Sequence, residues 1–579
     1  MIGNQAIALG LVEAGVELAA AYPGTPSSEI LPAVIEFKKR TKKDIHIEWS
    51  VNERVAMEVA FGAAMAGKKA VCMMKQVGFN VAFPPFIAGF DVPIQGGLVI
   101  ISCDDPGPQS SQTEQDSRLI GTLFGVPVFD AASPIEARLL ASYALNYSVE
   151  QKRPVLLRST HRVSHAREAV SLDVPPPESI AIDEGVKNDA GKRLGIVASG
   201  MSYNVAIDVL AELGLDSAVS LYKVVRIFPY APDLIAFLRQ MEHVLVLEET
   251  DEVLEAFAGD ITRVFGRSNG FVPAEGELTF DVMRTIVQNV AAQVGLAAKG
   301  FAPDASVDAA IATVPFPPRP PKLCAGCPHR SSFYAMRQAF PKAVFPGDIG
   351  CYTLGISQGA VDTCIDMGGS VGLAAGFSQA FAQDGAHIPI LASIGDSTFF
   401  HAALPLLYDA AQKGRQFVLV ILDNGTTAMT GMQPTPQSGL RAEGTASTYP
   451  MPIEKVVTGL GVTFLRTLDA YDTPGMIKTI KEAEKYLRAD GRGPAIVIAR
   501  HPCLLSVKAK KQPYFDALDL TADCNGCKRC ITLFDCPGLF FDETIKKVRR
   551  DEALCVNCAM CLFVCPQKKG KTSSDQKRG

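Results

Sequence analysis

The amino-acid sequence predicts an α/β protein made of several open parallel-sheet domains and closed by a small, cysteine-built C-terminal domain. Three observations predict it. Short apolar runs of strand length alternate with helical segments through residues 1–505. Two proline-rich interruptions, Pro175–Pro177 and the stretch at 314–322, divide them. Eight of the 15 cysteines crowd between 524 and 565. A chain of 579 residues exceeds one compact core, and about three or four domains are expected. Hydrophobic content of 47% and charged content of 20% are ordinary for a soluble globular protein. The net charge of −5 argues against a general polyanion-binding surface, so no nucleic-acid partner is expected. The basic cluster Lys568, Lys569, Lys571, Lys577 and Arg578 reads as a solvated tail. The first 20 residues carry Glu13 and Glu17, with neither a basic start nor a cleavage site. No long uncharged apolar run reads as a membrane span, and a cytoplasmic location is expected.

In chain order, residues 1–175 form the first expected domain, with strands AVCMMKQ at 70–76, GGLVIIS at 96–102 and PVLLRS at 154–159. A second, 190–295, opens with GIVASG and continues through SAVSLYKV and HVLVLEE. The proline-dense stretch VPFPPRPPK at 314–322 is an extended connector. A third, 323–505, has strands ILASIGD, FVLVILDN and AIVIAR, each ending in a polar or glycine turn. Ligands of such sheets bind at the carboxyl ends of the strands. The last domain is expected over 515–570.

In that last region Cys524, Cys527 and Cys530 are two residues apart, and Cys536 precedes Pro537. Cys555, Cys558 and Cys561 repeat the spacing, and Cys565 precedes Pro566. The second run fits the bacterial ferredoxin spacing, in which the fourth cysteine of one run completes the other cluster. One 4Fe–4S cluster is therefore expected on Cys524, Cys527, Cys530 and Cys565, and another on Cys555, Cys558, Cys561 and Cys536. Zinc is the alternative for thiolate ligands, but this tail has no histidine.

The third domain carries a second signal. Gly395-Asp396-Ser397 and Asp423-Asn424-Gly425 each follow a strand. An aspartate and an asparagine oxygen at neighbouring strand ends, with Thr426 beside them, suit Mg²⁺, which takes oxygen ligands and keeps phosphate oxygens in its shell. Gly395 and Gly425 let backbone amides approach a diphosphate. Strand-end aspartates are also common as structural residues, and that reading stays open for Asp396.

This pair is similar to the motif that holds Mg²⁺ and thiamine diphosphate in thiamine enzymes, with Ser397 and Gly425 as departures from its usual form. Together with AYPGTPSSEI at 21–30, WSVNERVAMEVAFGAAMAG at 49–67, DDPGPQSSQTEQDSR at 104–118, GDIGCYTLG, GDSTFFHAALPLLYDA and ILDNGTTAMTG, it makes the chain resemble the 2-oxoacid:ferredoxin oxidoreductase family, on its indolepyruvate-type alpha-subunit branch. The resemblance spans essentially the whole chain. It implies thiamine-enzyme-type domains: pyrimidine-binding at 1–175, transketolase-C-terminal-like at 190–295, diphosphate-binding at 323–505, and ferredoxin-like at 515–570. It implies that Glu53 contacts the aminopyrimidine ring, that Thr25 lies beside the substrate, and that Arg118 pairs with the substrate carboxylate. Without the resemblance, Glu53 reads as an exposed carboxylate at a helix start and Arg118 as a surface ion-pair residue. Met429 stands where pyruvate-specific relatives carry asparagine, which fits a different substrate.

The resemblance also implies the reaction. An aryl 2-oxo acid and coenzyme A would give acyl-CoA, carbon dioxide and two electrons for ferredoxin, with a separate smaller beta subunit supplying a missing domain. Cys324, Cys327, Cys351 and Cys503 lie where pyruvate-oxidising relatives hold a third cluster; buried structural thiols are the alternative. Rival functions are a non-oxidative decarboxylase, an electron-transfer subunit with a non-catalytic thiamine fold, and the same chemistry on a non-aromatic acid.

Overall fold

The computed structural model describes residues 1–170, 172, 182–300, 305–314, 320–447, 449–490, 492–506 and 524–567. The expected linker at Pro175–Pro177, most of the proline-dense connector and the start of the expected last domain lie outside them. The chain forms two compact units, Met1–Pro315 and Phe316–Gly579.

The first unit holds two sheets. Strands β1 (Leu18–Ala21), β2 (His46–Trp49), β3 (Lys69–Lys75), β4 (Gly97–Asp104), β5 (Val128–Asp130) and β6 (Val155–Thr160) lie in the order β5-β6-β4-β3-β1-β2, all parallel. The runs in β3, β4 and β6 are continuous and apolar because helices cover both faces. The second sheet contains β7 (Gly185–Asn188), β8 (Gly195–Ser199), β9 (Ser220–Val224), β11 (Val244–Leu247) and β12 (Val264–Phe265), in the order β12-β11-β8-β9-β7.

Strand β10 (Arg226–Phe228) crosses the expected domain boundary and pairs antiparallel with β5 at the edge of the first sheet. Burial of Ile227 in a core that also holds Leu156, Val197 and Val246 explains it: the first two expected domains share one hydrophobic cluster.

In the first sheet, β1 leads to β2 in one direction, while β3, β4 and β6 build outward in the other. The strand order therefore reverses between β1 and β3, where open parallel sheets leave a ligand crevice at their carboxyl ends. The helix Gln76–Gly89 starts at that point. Phe79 and Phe86 fix it to the core, each 1% exposed, with about 1.5–3 kcal/mol gained per buried ring.

The second unit contains a parallel sheet of β13 (Leu391–Gly395), β14 (Val418–Asp423), β15 (Leu465–Asp469) and β16 (Ala495–Arg500), ordered β13-β14-β16-β15. The cysteine-rich segment adds the antiparallel pair β17 (Leu539–Asp542) and β18 (Lys547–Arg550). No helix among the described residues is long and apolar enough to cross a membrane.

Candidate functional site

In the first unit the carboxyl ends of β1, β3 and β4 gather polar side chains. Glu53 opens the helix Glu53–Met65, whose first turn is capped by Asn52, its side chain accepting from the Val55 N–H at 2.9 Å. Glu53 is only 5% exposed, so it is not the exposed helix-start carboxylate of the alternative reading. Its carboxylate occupies the space over Gly78: a Cβ there would lie 2.4 Å from Oε1. Thr25 follows β1 in a turn whose Gly24 must lack a side chain, because a Cβ would meet the Lys75 Cβ at 2.8 Å. The Ser110 hydroxyl donates to the Thr25 carbonyl at 3.2 Å.

The loop after β4 is organised by Asp105. It accepts from the Ser110 N–H (2.8 Å), the Ser110 hydroxyl (3.1 Å) and the Ser111 hydroxyl (2.6 Å). Burial works against this carboxylate, yet those hydrogen bonds hold it below its ordinary pKa.

Arg118 is not placed where a substrate could reach it, and this corrects both readings of that residue. It is fully buried. Its guanidinium bonds to Asp116 (Nη2 to Oδ2, 2.5 Å), Glu248 (2.9 Å), the Ser199 hydroxyl (3.2 Å) and the Asp251 carbonyl (3.1 Å). These carboxylates would otherwise be buried uncompensated charges, and Arg118 neutralises them between the two sheets of the first unit. It is an ion-pair residue, but an interior one. Arg158 does the same for Asp104 (2.8 Å) and Asp130 (3.0 Å).

In the second unit β13 and β14 are adjacent and parallel, pairing Gly395 with Leu422. Their ends bring Asp396 next to the turn at Asn424: the Gly425 N–H donates to Asp396 Oδ2 at 3.1 Å and to Asp423 Oδ1 at 3.2 Å. Asp423, not singled out from sequence, is the close neighbour of Asp396. Burial, and then the Asp423 charge, push the Asp396 carboxyl well above its ordinary range. Arg500 balances Asp423 at 2.6 Å, and Gln437 reaches back to both carboxylates.

The Asn424 Oδ1 accepts from the Thr426 N–H at 3.0 Å, and the Thr426 hydroxyl donates to the Gln433 carbonyl at 3.0 Å. The Thr427 hydroxyl donates to Ser397 at 2.8 Å. His329 lies 3.4 Å from the Asn424 amide, and burial pushes its pKa down to about 4. The helix after Asp396 begins with a π-helical stretch, Phe399–Ala403, a distortion frequent at functional sites. A buried carboxyl strained by a like-charged neighbour, beside amide oxygens, is a donor set that a small divalent cation would relieve.

Twelve of the 15 cysteines fall into three neighbourhoods within the second unit; Cys72 and Cys103 are buried in the first unit, and Cys364 stands outside the three groups. Cys351 is pushed up to about 11 by burial and by the nearby thiols of Cys503 and Cys324; Cys327 is pushed up to about 12 by burial, with Cys324 and Cys351 adding to it. Cys558 is raised to about 12 by burial and by Cys536 and Cys555, and Cys561 is raised well above its ordinary value by burial, with Cys558, Cys536, Cys530 and Cys555 adding to it. Cys530 is raised to about 11 by burial and by Cys565, Cys524 and Cys527. Cys530 thus has Cys524, Cys527 and Cys565 near it, and Cys558 has Cys536 and Cys555. Thiols that crowd and raise one another are relieved when ligation to iron takes up their protons' place.

Among the described residues, no three His, Cys, Asp or Glu side chains form a ligand set for a single ion.

The neighbourhoods are joined. The Cys503 N–H donates to the Asn424 carbonyl at 3.1 Å. A Cβ on Gly326, between Cys324 and Cys327, would lie 3.5 Å from the Cys558 sulfur, and the Gly326 N–H bonds to Cys536. Arg330, fully buried, donates to the Cys324 carbonyl at 2.9 Å and to the Phe534 carbonyl at 3.1 Å. Cys561 and Cys530 are mutual neighbours across the last two groups.

Two family models match the chain: the thiamine-diphosphate-binding domain of pyruvate flavodoxin/ferredoxin oxidoreductase over residues 9–199, and the C-terminal TPP-binding domain of thiamine pyrophosphate enzymes over residues 348–499. The indolepyruvate oxidoreductase subunit IorA of Archaeoglobus fulgidus is 37% identical over 98% of this chain and 96% of its own length. The subunit of the same name from Thermococcus kodakarensis is 35% identical over the same shares. A solved 2-oxoglutarate:ferredoxin oxidoreductase from Magnetococcus marinus superposes with a TM-score of 0.41 and 16% identity, over 50% of this chain and 64% of that one. The sequence relatives, which align end to end, carry the family assignment.

Proposed function

The chain belongs to the IorA family of thiamine-diphosphate-dependent 2-oxoacid oxidoreductase subunits, and from that premise we propose that it oxidatively decarboxylates an aryl 2-oxo acid of the indolepyruvate or phenylpyruvate type. The balance is a 2-oxo acid anion plus coenzyme A giving acyl-CoA, carbon dioxide, one proton and two electrons. Thiamine diphosphate, when bound, supplies a carbon nucleophile for the 2-oxo group and a ring that accepts the electron pair left by carbon dioxide.

The chain's own residues do the rest. Glu53, buried and fitted over Gly78, holds or gives up a proton at its carboxylate toward the pyrimidine ring. Asp396, Asn424 and Thr426 would hold Mg²⁺ against the diphosphate, with Gly395, Ser397 and Gly425 giving backbone room. Thr25 lines the substrate side. The three cysteine groups would hold 4Fe–4S clusters, each a store for a single electron. From Asn424 outward their order would be Cys324/Cys327/Cys351/Cys503, then Cys536/Cys555/Cys558/Cys561, then Cys524/Cys527/Cys530/Cys565. Ferredoxin would take the electrons in the cytoplasm, and a separate smaller subunit would complete the enzyme.

The observation that carries this reading is the joining of the Asp396–Asn424 turn to the thiol series through Cys503. An electron-transfer subunit with a non-catalytic fold would have no use for a glycine cut away beneath Glu53.

The test is anaerobic, coenzyme-A-dependent reduction of a viologen dye by this chain with its partner subunit, across a panel of 2-oxo acids. Indolepyruvate and phenylpyruvate are expected to reduce the dye and pyruvate not. Reduction by pyruvate or a branched-chain acid alone would overturn the substrate, and reduction by none would overturn the reaction.

A further inference from the structure

With Arg118 committed to the interior, the first unit needs another cation wherever an anionic substrate is received. The cationic side chains along the carboxyl edge of its first sheet differ in what they already hold. Arg158 is locked between Asp104 and Asp130. Arg162 bonds to Glu249 at 2.8 Å. His161 lies between Asp105 (3.3 Å) and Glu277 (2.8 Å). Lys75, the last residue of β3, is the exception: it has no ion pair among the described residues, and its Nζ donates to the carbonyl of Ser110 at 2.6 Å. Burial lowers its pKa, with Asp105 the opposing charge. Asp105 is itself occupied by Ser110 and Ser111.

Its position is the one topology selects. Lys75 ends β3 where the strand order reverses toward β1, directly against the Gly24–Thr25 turn. Three residues on, Gly78 makes room for the Glu53 carboxylate. A second observation marks the same place. Gln76, 2% exposed, gives its Nε2 to Ser111 at 3.0 Å, while its Oε1 is buried without a hydrogen-bond partner. A buried acceptor left without a donor is destabilising unless something completes it. Beside a cation that makes no ion pair among the described residues, a polar ligand does.

We infer that Lys75 binds the carboxylate of the 2-oxo acid, taking the place the sequence assigned to Arg118, with Thr25 and the Ser110 loop beside it. The inference rests on the functional reading above and names the anchor of its substrate. A lysine ammonium on a flexible stem suits this better than a locked guanidinium, because it can leave the Ser110 carbonyl for the incoming carboxylate.

The test is steady-state kinetics of the complete enzyme with phenylpyruvate and coenzyme A varied separately, for wild type, Lys75→Met and Lys75→Arg, together with thermal melting. Lys75→Met is expected to raise KM for phenylpyruvate at least tenfold, and by far more than it lowers kcat. KM for coenzyme A should stay within twofold, and the melting temperature should be unchanged or higher, since an unpaired half-buried charge has been removed. Lys75→Arg should recover most of the phenylpyruvate KM. A Lys75→Met enzyme whose phenylpyruvate KM is within twofold of wild type overturns the inference alone. So does one that loses melting temperature while keeping KM, which is the mark of a loop staple. A shift in the coenzyme A KM instead assigns Lys75 to a phosphate and also overturns it. A wild-type enzyme that oxidises no aryl 2-oxo acid overturns the functional reading, and this inference with it.

Discussion

The first and third sheets of this chain present their chemistry in the same way, at the carboxyl ends of adjacent parallel strands, but with opposite electrostatics. At the end of β3 stands Lys75, which among the described residues has no ion pair, next to a Gln76 Oε1 that has no hydrogen-bond partner among them. At the ends of β13 and β14 stand Asp396 and Asp423, two buried carboxylates of which the first is driven well above its ordinary pKa by burial and by the second. Among the described residues, Lys75 at one edge and Asp396 at the other have no ion pair, although Asp105 lies near the first and Arg500 pairs with Asp423 beside the second. A parallel sheet delivers side chains to a crevice; which residue ends each strand decides what the crevice accepts. The Arg118 network shows a third outcome, in which charges of both signs are present and the site is closed.

Glu53→Gln is expected to lower turnover by about 10²–10⁴-fold, the usual weight of one acid–base group, measured as dye reduction at saturating substrate. Retention of more than half the activity would remove Glu53 from the chemistry. Gly78→Ala places a methyl 2.4 Å from the Glu53 oxygen and should displace it, lowering kcat by about 10²-fold with thiamine diphosphate still bound. An active alanine variant would show that the carboxylate has room to move. Asp396→Asn removes the strained charge that would face Mg²⁺. The Mg²⁺ concentration for half-maximal activity should rise on the order of 10–100-fold, since a charge-assisted contact contributes about 1.5–3 kcal/mol. Arg118→Met sharpens the contrast with Lys75. It should cost about 3–5 kcal/mol of stability in a denaturant titration, by stranding Asp116 and Glu248, without a selective rise in substrate KM. A selective KM effect there would return Arg118 to the substrate.

Much of this architecture was legible in the residues. The strands at 70–76, 96–102, 154–159, 391–395 and 418–423 announce themselves because both faces of each are covered, so the apolar run is unbroken. Asp396 and Asn424 were legible for the complementary reason: a polar residue with glycine beside it must end such a run. The spacing of the cysteines puts Cys565 with Cys524, Cys527 and Cys530, and the thiols of Cys565, Cys524 and Cys527 are neighbours of Cys530.

Other features were hidden. The three-residue strand Arg226–Phe228 has no periodicity, and its place at the edge of the first sheet is set by a core shared between two sheets. The interior position of Arg118 depends on Glu248, far along the chain. Lys75 looks like any charged residue stopping an apolar strand; only the reversal of strand order and the lack of an ion pair among the described residues set it apart.

The most direct test is electron paramagnetic resonance of the complete enzyme, frozen after anaerobic mixing with indolepyruvate and coenzyme A. Wild type should show reduced iron–sulfur signals. Glu53→Gln should show them with dithionite but not with indolepyruvate. Clusters reduced by indolepyruvate equally in both proteins would contradict the claim that electrons enter this chain through chemistry at Glu53.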